Sequence, residues 1–383
     1  MTVESFISCS RKLVTVRKID AINPIPKADA IEVASIGGWK VVVKKGEFKA
    51  GDRCMYFEID SFLPKSDPMY DFLMKSTKMM DGVEGHKLRT IRLRGQLSQG
   101  LALPLAPFIE RFIDSKWDEG QEPMEFFYSG MDFSEFTGVV KYEPPVPLNM
   151  QGLMKGEFPS YIKRTDQERC QNLVEEIFTE HKDDEYEVSI KLDGTSATYY
   201  SVVREPGNPD SIELGACSRN IELKLDPEND ANLYIHMLKT SGLGAALEAF
   251  ARADLQLAIQ GEIMGPKIQN NREGLTRPTF FIFEIQNIAT RTNLPPAVRR
   301  KVYETMIDLM GVDGEVVKHV PLGTTAVTLA QLGVANIEDL LALAAGPSLT
   351  NPVREGLVFK NLAGDFSFKV ISNEYLLEVG DRD

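Results

Sequence analysis

The first hundred residues show short alternations of apolar and polar positions separated by turn-forming residues. In runs such as 31–36 and 39–44, apolar side chains recur at about every second position, which is the period of a strand with one buried face. Glycine and aspartate punctuate the segments between the runs. This pattern predicts a small closed β-barrel. The predicted strands lie at 13–19, 31–38, 39–45, 54–59, 86–95 and 100–105.

Apolar and cationic residues interleave within the predicted strand at 86–95. The phase of the alternation changes near Thr90, which predicts a β-bulge there. One face of the strand should therefore be cationic. The apolar residues are Leu88, Ile91 and Leu93, and the cationic residues are Lys87, Arg89, Arg92 and Arg94.

A segment rich in proline and glycine, 141–160, follows the barrel region and has the composition of an interdomain linker. We therefore expect a first domain at 1–125, a linker at 126–160 and a second domain at 161–383.

A helix is predicted directly after this linker. Thr165 and Glu168 have the spacing of a capping box, so the helix should begin at Thr165. Its apolar positions recur at helical spacing and should pack on the second domain. These positions are Cys170, Leu173, Val174, Ile177 and Phe178.

From Glu185 onward, strand and helix patterns mix in the order of an α+β domain, which predicts antiparallel sheets with flanking helices. The predicted strands lie at 187–192, 195–201, 256–264, 279–286, 355–360 and 366–372. The predicted helices lie near 231–250, 296–310 and 336–345.

Charge is distributed unevenly along the chain, whose formal net charge is −13. Residues 1–100 carry 17 Lys and Arg against 12 Asp and Glu, so the acidic excess lies in the remainder. A basic N-terminal region followed by an acidic remainder is typical of a nucleic-acid-binding domain joined to a catalytic domain. An unrelated imbalance of surface charge is the alternative.

Cysteine and histidine give no sign of a metal cage or of histidine-based catalysis. The four cysteines are far apart without a CxxC pair, and the four histidines are scattered. No apolar run is long enough for a membrane span, and the first residues lack the pattern of a signal peptide. We expect an intracellular, cytoplasmic protein with no membrane partner.

The first chemical signal is KLDGTS at 191–196, which follows the alternating strand YEVSI. An Asp-Gly turn there would place Lys191 at a strand end, pointing into a groove. Alone the motif is weak, because a lysine beside a turn is usually structural. Four further segments follow in order: SRN at 218–220, IQGEIMGP at 259–266, FIFEI at 281–285 and EGLVFK at 355–360, and FSFKVIS closes the series at 366–372.

Jointly, these segments resemble the covalent nucleotidyltransferase superfamily of polynucleotide ligases and mRNA capping enzymes, over residues 185–372. The resemblance implies that Lys191 attacks the α-phosphorus of ATP and carries AMP. It also implies metal-holding carboxylates, nucleotide contacts and cations that neutralise the α-phosphate. The implied metal residues are Asp193, Glu262 and Glu355, and the cations are Lys360 and Lys369. The implied nucleotide contacts are Ile190, Glu262, Phe283, which would stack on adenine, and Arg219, which would contact ribose or the RNA end.

Two of these residues have ordinary alternatives. Phe283 also fits a core aromatic of its strand, and Arg219 also fits a surface arginine.

Two departures from the superfamily pattern narrow the resemblance. Ser367 stands where many ligases have the first lysine of a KxK motif, and only 14 residues follow Lys369, too few for a rear OB domain. An OB-type barrel in front resembles the OB-first RNA ligases of the Naegleria type, and so does FPSYIKRTDQER at 158–169. Arg164 and Arg169 in that segment are then candidates for contacts to pyrophosphate or the RNA end, the alternative being a helix-capping and surface role.

We therefore expect an ATP-dependent RNA ligase that uses Mg²⁺ or Mn²⁺ and seals 3′-OH and 5′-phosphate RNA ends, with a nicked duplex as the favoured partner. The alternatives are a DNA ligase, an mRNA guanylyltransferase, or a non-catalytic RNA-binding relative. The last of these would be expected to lose Lys191, Glu262 or Glu355, and all three are present.

Overall fold

The computed structural model describes residues 11–116 and 127–380. The chain divides into two compact units after Pro145, and residues from Leu376 onward belong to the first unit.

The first unit is a set of short antiparallel sheets. Their strand orders are β1-β5-β11, β2-β3-β4, β12-β6-β8-β7 and β9-β10. The strands are β1 (Val14–Lys18), β2 (Ala21–Pro24), β3 (Ile31–Ile36), β4 (Trp39–Lys44), β5 (Arg53–Phe57), β6 (Ser61–Pro64), β7 (Thr77–Met80), β8 (Val83–Lys87), β9 (Thr90–Leu93), β10 (Gln96–Gln99), β11 (Leu101–Pro104) and β12 (Val140–Lys141). The helices are α1 (Ala106–Lys116), α2 (Ser134–Thr137) and a 3₁₀ segment (Pro68–Ser76).

The strand alternation read from the sequence is confirmed in this unit. Trp39, Val41 and Val43 of β4 are buried in one cluster, while Lys40 and Val42 between them are only partly buried. Such burial of every second side chain is what forms the core of a small barrel.

The cationic strand predicted at 86–95 is two strands instead of one bulged strand. Leu88 still exchanges backbone hydrogen bonds with residues 60–61, whereas β9 pairs with β10, so the chain changes partners at Arg89. Lys87 is buried, with its ammonium 4.8 Å from the centre of the Tyr142 ring, and was wrongly assigned to the cationic face. Arg89, Arg92 and Arg94 are exposed, together with Ile91 and Leu93.

The range expected to be a linker contains several short helices and strands. Phe133 belongs to the core of the first unit, and β12 pairs with β6. Beyond Pro145, the chain forms α3 (Leu148–Gln151) and β13 (Met154–Glu157), and β13 joins a sheet of the second unit.

The second unit contains two sheets, with the orders β13-β17-β16-β15-β18-β19-β20, where β21 also pairs with β19, and β22-β14-β23-β24. Its further strands are β14 (Tyr186–Lys191), β15 (Thr195–Val203), β16 (Ile212–Cys217), β17 (Ile221–Leu223), β18 (Leu257–Met264), β19 (Thr279–Asn287), β20 (Thr292–Asn293), β21 (Val317–His319), β22 (Leu322–Val327), β23 (Gly356–Asn361) and β24 (Ser367–Ile371). Its helices are α4 (Leu233–Thr240), α5 (Leu243–Arg252), α6 (Pro296–Met310) and α7 (Ile337–Leu343), and α8 (Asn373–Val379) follows at the boundary with the first unit.

The α+β class is confirmed, with one detail that the sequence did not predict. The β19–β21 pair is parallel, while the other strand pairs of the two sheets in the described residues are antiparallel.

The helix predicted to begin at Thr165 is wrong in its start. Residues 165–168 have no helical hydrogen bonding; the carbonyl of Glu168 accepts from the backbone N–H of Lys369 on β24 at 2.8 Å. Because the edge strand satisfies this backbone, helical structure begins later, as short turns at Cys170–Asn172 and Glu176–Glu180. The apolar positions pack on the second unit as expected, with Cys170 and Ile177 fully buried.

No helix within the two described ranges is both long and apolar enough to span a bilayer.

Candidate active site

Lys191 is the last residue of β14, as the sequence predicted. Its ammonium donates to Glu355 Oε1 at 2.6 Å. Glu355 comes immediately before β23, which pairs with β14 so that Lys191 lies opposite Gly356. The ion pair therefore joins the end of one strand to the beginning of its neighbour.

Three lysines share one face of this sheet. β23 places Val358 opposite Lys369 of β24, and Lys360 lies two positions further along the same face. Directly opposed residues, and alternate residues of one strand, point to the same side of a sheet. The same side of this sheet therefore carries the side chains of Lys191, Lys360 and Lys369.

Glu262 comes to this site from the other sheet, on β18. Its Oε1 accepts from the backbone N–H of Gly194 at 3.2 Å. A Cβ at Gly194 would lie 2.4 Å from the carbonyl oxygen of Ile263 and 3.0 Å from Cγ of Glu262. The turn after Lys191 thus approaches β18 so closely that only glycine fits.

The site holds an excess of negative charge. Desolvation raises the pKa of Glu262 to about 8; Glu355 and Asp193 add to the rise, while Lys191 and the Gly194 N–H oppose it. These influences place the three carboxylates and Lys191 within electrostatic reach of one another. Carboxylate oxygens in such a group fit a hard divalent cation.

The carboxylates do not form a closed cage. Across residues 11–116 and 127–380, no set of three or more His, Cys, Asp or Glu side chains is grouped closely enough to hold a metal ion. Magnesium keeps several of its waters, so contacts through water remain the expectation.

Phe283 lies in a β-bulge of β19. Gln260 pairs with Glu284 and the next residue, Gly261, pairs with Ile282, so Phe283 is the extra residue. Its ring packs in a cluster with Ile190 and Leu192 beside the lysine. A bulge re-aims side chains, and here it brings Phe283 next to the strand of Lys191.

Lys360 is buried and already engaged. Its ammonium donates to Glu284 Oε2 at 2.6 Å and to the carbonyl oxygen of Phe283 at 2.5 Å. Burial lowers the pKa of Lys360, and Glu284 partly offsets that effect. These two bonds use two of the three N–H donors of the ammonium, which leaves a third for the phosphate contact that the resemblance implies.

Glu284 also belongs to a buried ionic network that the sequence did not predict. Arg299 of α6 donates to Glu284 Oε1 at 3.2 Å and also to Glu187 of β14. Arg300 donates to the second oxygen of Glu187 at 2.7 Å. The available signal was Glu187 itself, an acidic residue within the apolar strand YEVSI.

Arg164 and Arg219 lie at a second place, a narrow cleft in the same unit. Arg219 donates to Asp166 at 3.1 Å, and Arg164 donates to Asn220 at 3.2 Å. Ser196 and Thr198 of β15 also line this cleft. Since Ser196 pairs with Glu262, the cleft lies one strand away from the carboxylate site.

Arg169 is separate from that cleft. It is buried and forms an isolated bridge with Lys369 at the edge of β24. At the position of the absent lysine, the Ser367 hydroxyl donates to Gln167 at 2.5 Å, so residues 167–169 run along this sheet edge.

Two family models match the chain. Residues 13–105 match the family model of an OB-fold domain, and residues 184–371 match the family model RNA ligase. Comparison with curated proteins gave no match.

Solved structures of the Naegleria gruberi RNA ligase are similar over nearly the whole chain. One mutant with AMP and Mn has 41% identity and a TM-score of 0.76, covering 97% of this chain and 100% of that one. Another mutant, with ATP and Mn, has 41% identity and a TM-score of 0.75 over 97% and 100%. The ligase with PPi has 41% identity and a TM-score of 0.74 over 96% and 98%. The chain therefore belongs to the RNA ligase family, with an OB-fold domain in front of the ligase domain.

Proposed function

We propose that this chain uses ATP and a divalent metal ion to join RNA 3′-OH and 5′-phosphate ends through a covalent bond between Lys191 and AMP. The observation that carries the proposal is Lys191 at the end of β14, paired with Glu355 and within reach of the Glu262 carboxylate on the facing sheet. The complexes of the Naegleria ligase with ATP, AMP and Mn support the choice of nucleotide and metal.

In the first step, Lys191 Nζ gives up a proton and attacks the α-phosphorus of ATP. The N–P bond forms as the bond from that phosphorus to the pyrophosphate oxygen breaks. Glu355, which holds the ammonium at 2.6 Å, orients Nζ at the strand end. The amine must be neutral to attack, so nearby positive charge favours this step.

Asp193, Glu262 and Glu355 would hold the divalent cation. When bound, Mg²⁺ or Mn²⁺ would lower the pKa of the lysine amine and neutralise charge on the phosphate oxygens. Lys369, on the same face as Lys191, would contact the same phosphate. Lys360 would contact it through the third N–H of its ammonium, while Glu284 and the Phe283 carbonyl hold the other two.

The nucleoside would lie beside the lysine strand. Phe283 and Ile190 are both partly buried in the cluster next to Leu192, which leaves part of each side chain open to stack against adenine. Arg219, and Arg164 across the cleft, would contact ribose or the RNA end. Arg169 would act at the edge of β24, near Lys369.

In the later steps AMP passes from Lys191 to an RNA 5′-phosphate, and the RNA 3′-OH attacks that phosphate and expels AMP. Both steps are displacements at phosphorus, with the lysine amine leaving in the first and AMP in the second, and both need the same cations near the phosphorus. The first unit would hold the RNA through its backbone phosphates, with a nicked duplex as the favoured substrate. An intracellular, cytoplasmic location stays a prediction.

A sealing assay tests the RNA assignment. Nicked duplexes that carry either ribose or deoxyribose at the 3′-OH side should differ, with efficient joining only for ribose, because the 2′-OH is what a protein can use to distinguish RNA from DNA. Equal joining of both substrates would reject RNA specificity and favour a DNA ligase.

Labelled nucleotides separate the remaining rivals. Incubation with labelled ATP should label the protein, while labelled GTP should not. Labelling by GTP alone would indicate a guanylyltransferase, and labelling by neither nucleotide would indicate a non-catalytic relative.

A further inference from the structure

Glu262 and Glu355 lie on different sheets. β18, which carries Glu262, pairs with β15 and β19, whereas β23, which follows Glu355, pairs with β14 and β24. Pairing within one sheet therefore does not connect these two carboxylates. One link between them is the turn 192–194, which joins β14 to β15 and whose Gly194 N–H bonds Glu262. A second link runs through the loop after Glu262 and the loop before Glu355.

The loop that follows β18 has an unusual backbone. Gln269, Asn270 and Asn271 are consecutive residues with φ of 42°, 60° and 46°, in the left-handed region. This region is unfavourable for most L-residues such as Gln269, while asparagine tolerates it better because its short side chain can hydrogen-bond locally. Asn271 closes the loop, because its side chain bonds both the N–H and the carbonyl of Leu275.

Directly after this turn, Glu273 binds the loop that leads to Glu355. The buried Glu273 Oε2 accepts from the backbone N–H of Thr350 at 2.7 Å and from its hydroxyl at 3.1 Å. It also accepts from the N–H of Asn351 at 3.2 Å. Two backbone N–H groups thus meet one carboxylate oxygen, and the Thr350 hydroxyl lies between that oxygen and the Glu273 carbonyl oxygen at 2.9 Å.

Arg272 binds the same loop from beside Glu273. Its guanidinium donates to Asn351 Oδ1 at 3.0 Å and to the carbonyl of Val353 at 3.1 Å. Arg354 holds the loop from the other side, donating to the carbonyls of residues 343–345 at the end of α7. The backbone that enters Glu355 is therefore held by two independent sets of contacts.

We propose that Arg272 and Glu273 are positioning residues that set the separation of Glu262 and Glu355 for the divalent cation. They attach the segment after Glu262 to the segment before Glu355, so the strained turn links one carboxylate to the other. The inference rests on the proposed metal site. Loss of groups that orient metal-holding residues typically weakens metal affinity about 10–100-fold.

Manganese binding, measured from the electron paramagnetic resonance signal of free Mn²⁺ with a non-cleavable ATP analogue, tests this role without turnover. Glu273→Ala should weaken binding about tenfold, and Glu273→Gln, which keeps an acceptor, should weaken it less. Arg277→Ala is the matched control, because Arg277 pairs with Glu315 on the exposed surface just beyond this loop.

A double-mutant cycle distinguishes positioning from general destabilisation. If Glu273 acts through Glu355, adding Glu273→Ala to Glu355→Ala should weaken manganese binding no further. Independent, additive losses would overturn the positioning role, as would unchanged binding in Glu273→Ala and Arg272→Ala. Unchanged binding in Glu355→Ala alone would instead reject the metal site on which the inference rests.

Discussion

Glu262 is the residue whose protonation links the site to pH. Its pKa of about 8 lies above the ordinary value of 4.5, mainly because burial disfavours the charged form and Glu355 and Asp193 repel it. At neutral pH the folded protein thus holds a proton here that a cation must displace.

Metal binding should therefore release a proton below about pH 8, and this release should vanish as the pH rises above that value. Calorimetric titration of Mn²⁺ with a non-cleavable ATP analogue, in buffers of different ionisation enthalpy, measures the release. Glu262→Gln should abolish this component. An equal release from that variant at about pH 7 would show that the proton comes from another group.

At Gly194, the absence of a Cβ atom allows the turn after Lys191 to lie close to β18. Gly194→Ala would drive a Cβ to within 2.4 Å of the Ile263 carbonyl oxygen and against Glu262. We expect a loss of roughly 1–3 kcal/mol in the free energy of unfolding, together with slower adenylylation. Denaturant unfolding and a labelled-ATP time course measure the two effects.

Gly152→Ala is the control for that substitution. Gly152 has φ −66° and open space around its Cβ position, so alanine should be neutral there. Equal behaviour of the two variants would remove the argument for close approach at Gly194.

At the scale of elements, α6 is attached to both sheets of the second unit by one buried side chain. Arg299 is 1% exposed and bonds Glu284 on β19 and Glu187 on β14. Because Glu284 also holds Lys360, the helix supports the strands that carry the site.

Arg299→Met should destabilise the protein by up to about 3–5 kcal/mol, because two buried carboxylates each lose one of their two cationic partners. Urea unfolding measures the loss. Lys301→Met on the exposed side of the same helix is the control and should change little. A change within about 0.5 kcal/mol for Arg299→Met, the range typical of surface sites, would contradict the account of this network.

The elements were predictable where the apolar period was regular. Strands β14, β18, β19 and β23 and helix α6 appear close to their predicted bounds, because each has a continuous apolar pattern. The helix start at Thr165 was wrong because the backbone N–H of Lys369 on β24 bonds the Glu168 carbonyl, and the Glu168 carboxylate accepts from the Arg169 N–H and from Asn172. Local sequence contains no information about such a distant edge.

The site was only partly predictable for the same reason. Lys191, Glu262 and Glu355 could be identified from motifs that each occupy a few residues. The bulge at Phe283 and the contacts of Arg272 and Glu273 depend on pairing between segments far apart in the chain. The periodicity of apolar residues along the sequence does not predict pairing between distant segments.

At the scale of the whole molecule, the first unit supplies exposed positive charge. The β9–β10 hairpin presents Arg89, Arg92 and Arg94 beside Ile91 and Leu93, which are 41% and 38% exposed. Arginine binds phosphate, and partly exposed apolar side chains can contact sugar or base. This surface suits an RNA backbone.

The double substitution Arg89→Ala with Arg94→Ala should weaken duplex RNA binding and lower the salt dependence of log K by about 0.9 for each phosphate that the variant no longer neutralises. Adenylylation of Lys191 should not change, because that step needs no RNA. Lys49→Ala, at another exposed lysine of this unit, is the control. An unaltered salt slope in the double variant would mean that RNA binds elsewhere.

The central claim is the covalent bond between Lys191 and AMP, and the mass of the intact protein tests it most directly. After incubation with ATP and magnesium, wild-type protein should gain the mass of one AMP, and so should Lys182→Ala, a change at an exposed lysine. Lys191→Ala should gain nothing. A wild-type protein that never gains this mass, or a Lys191→Ala variant that gains it equally, would contradict the account.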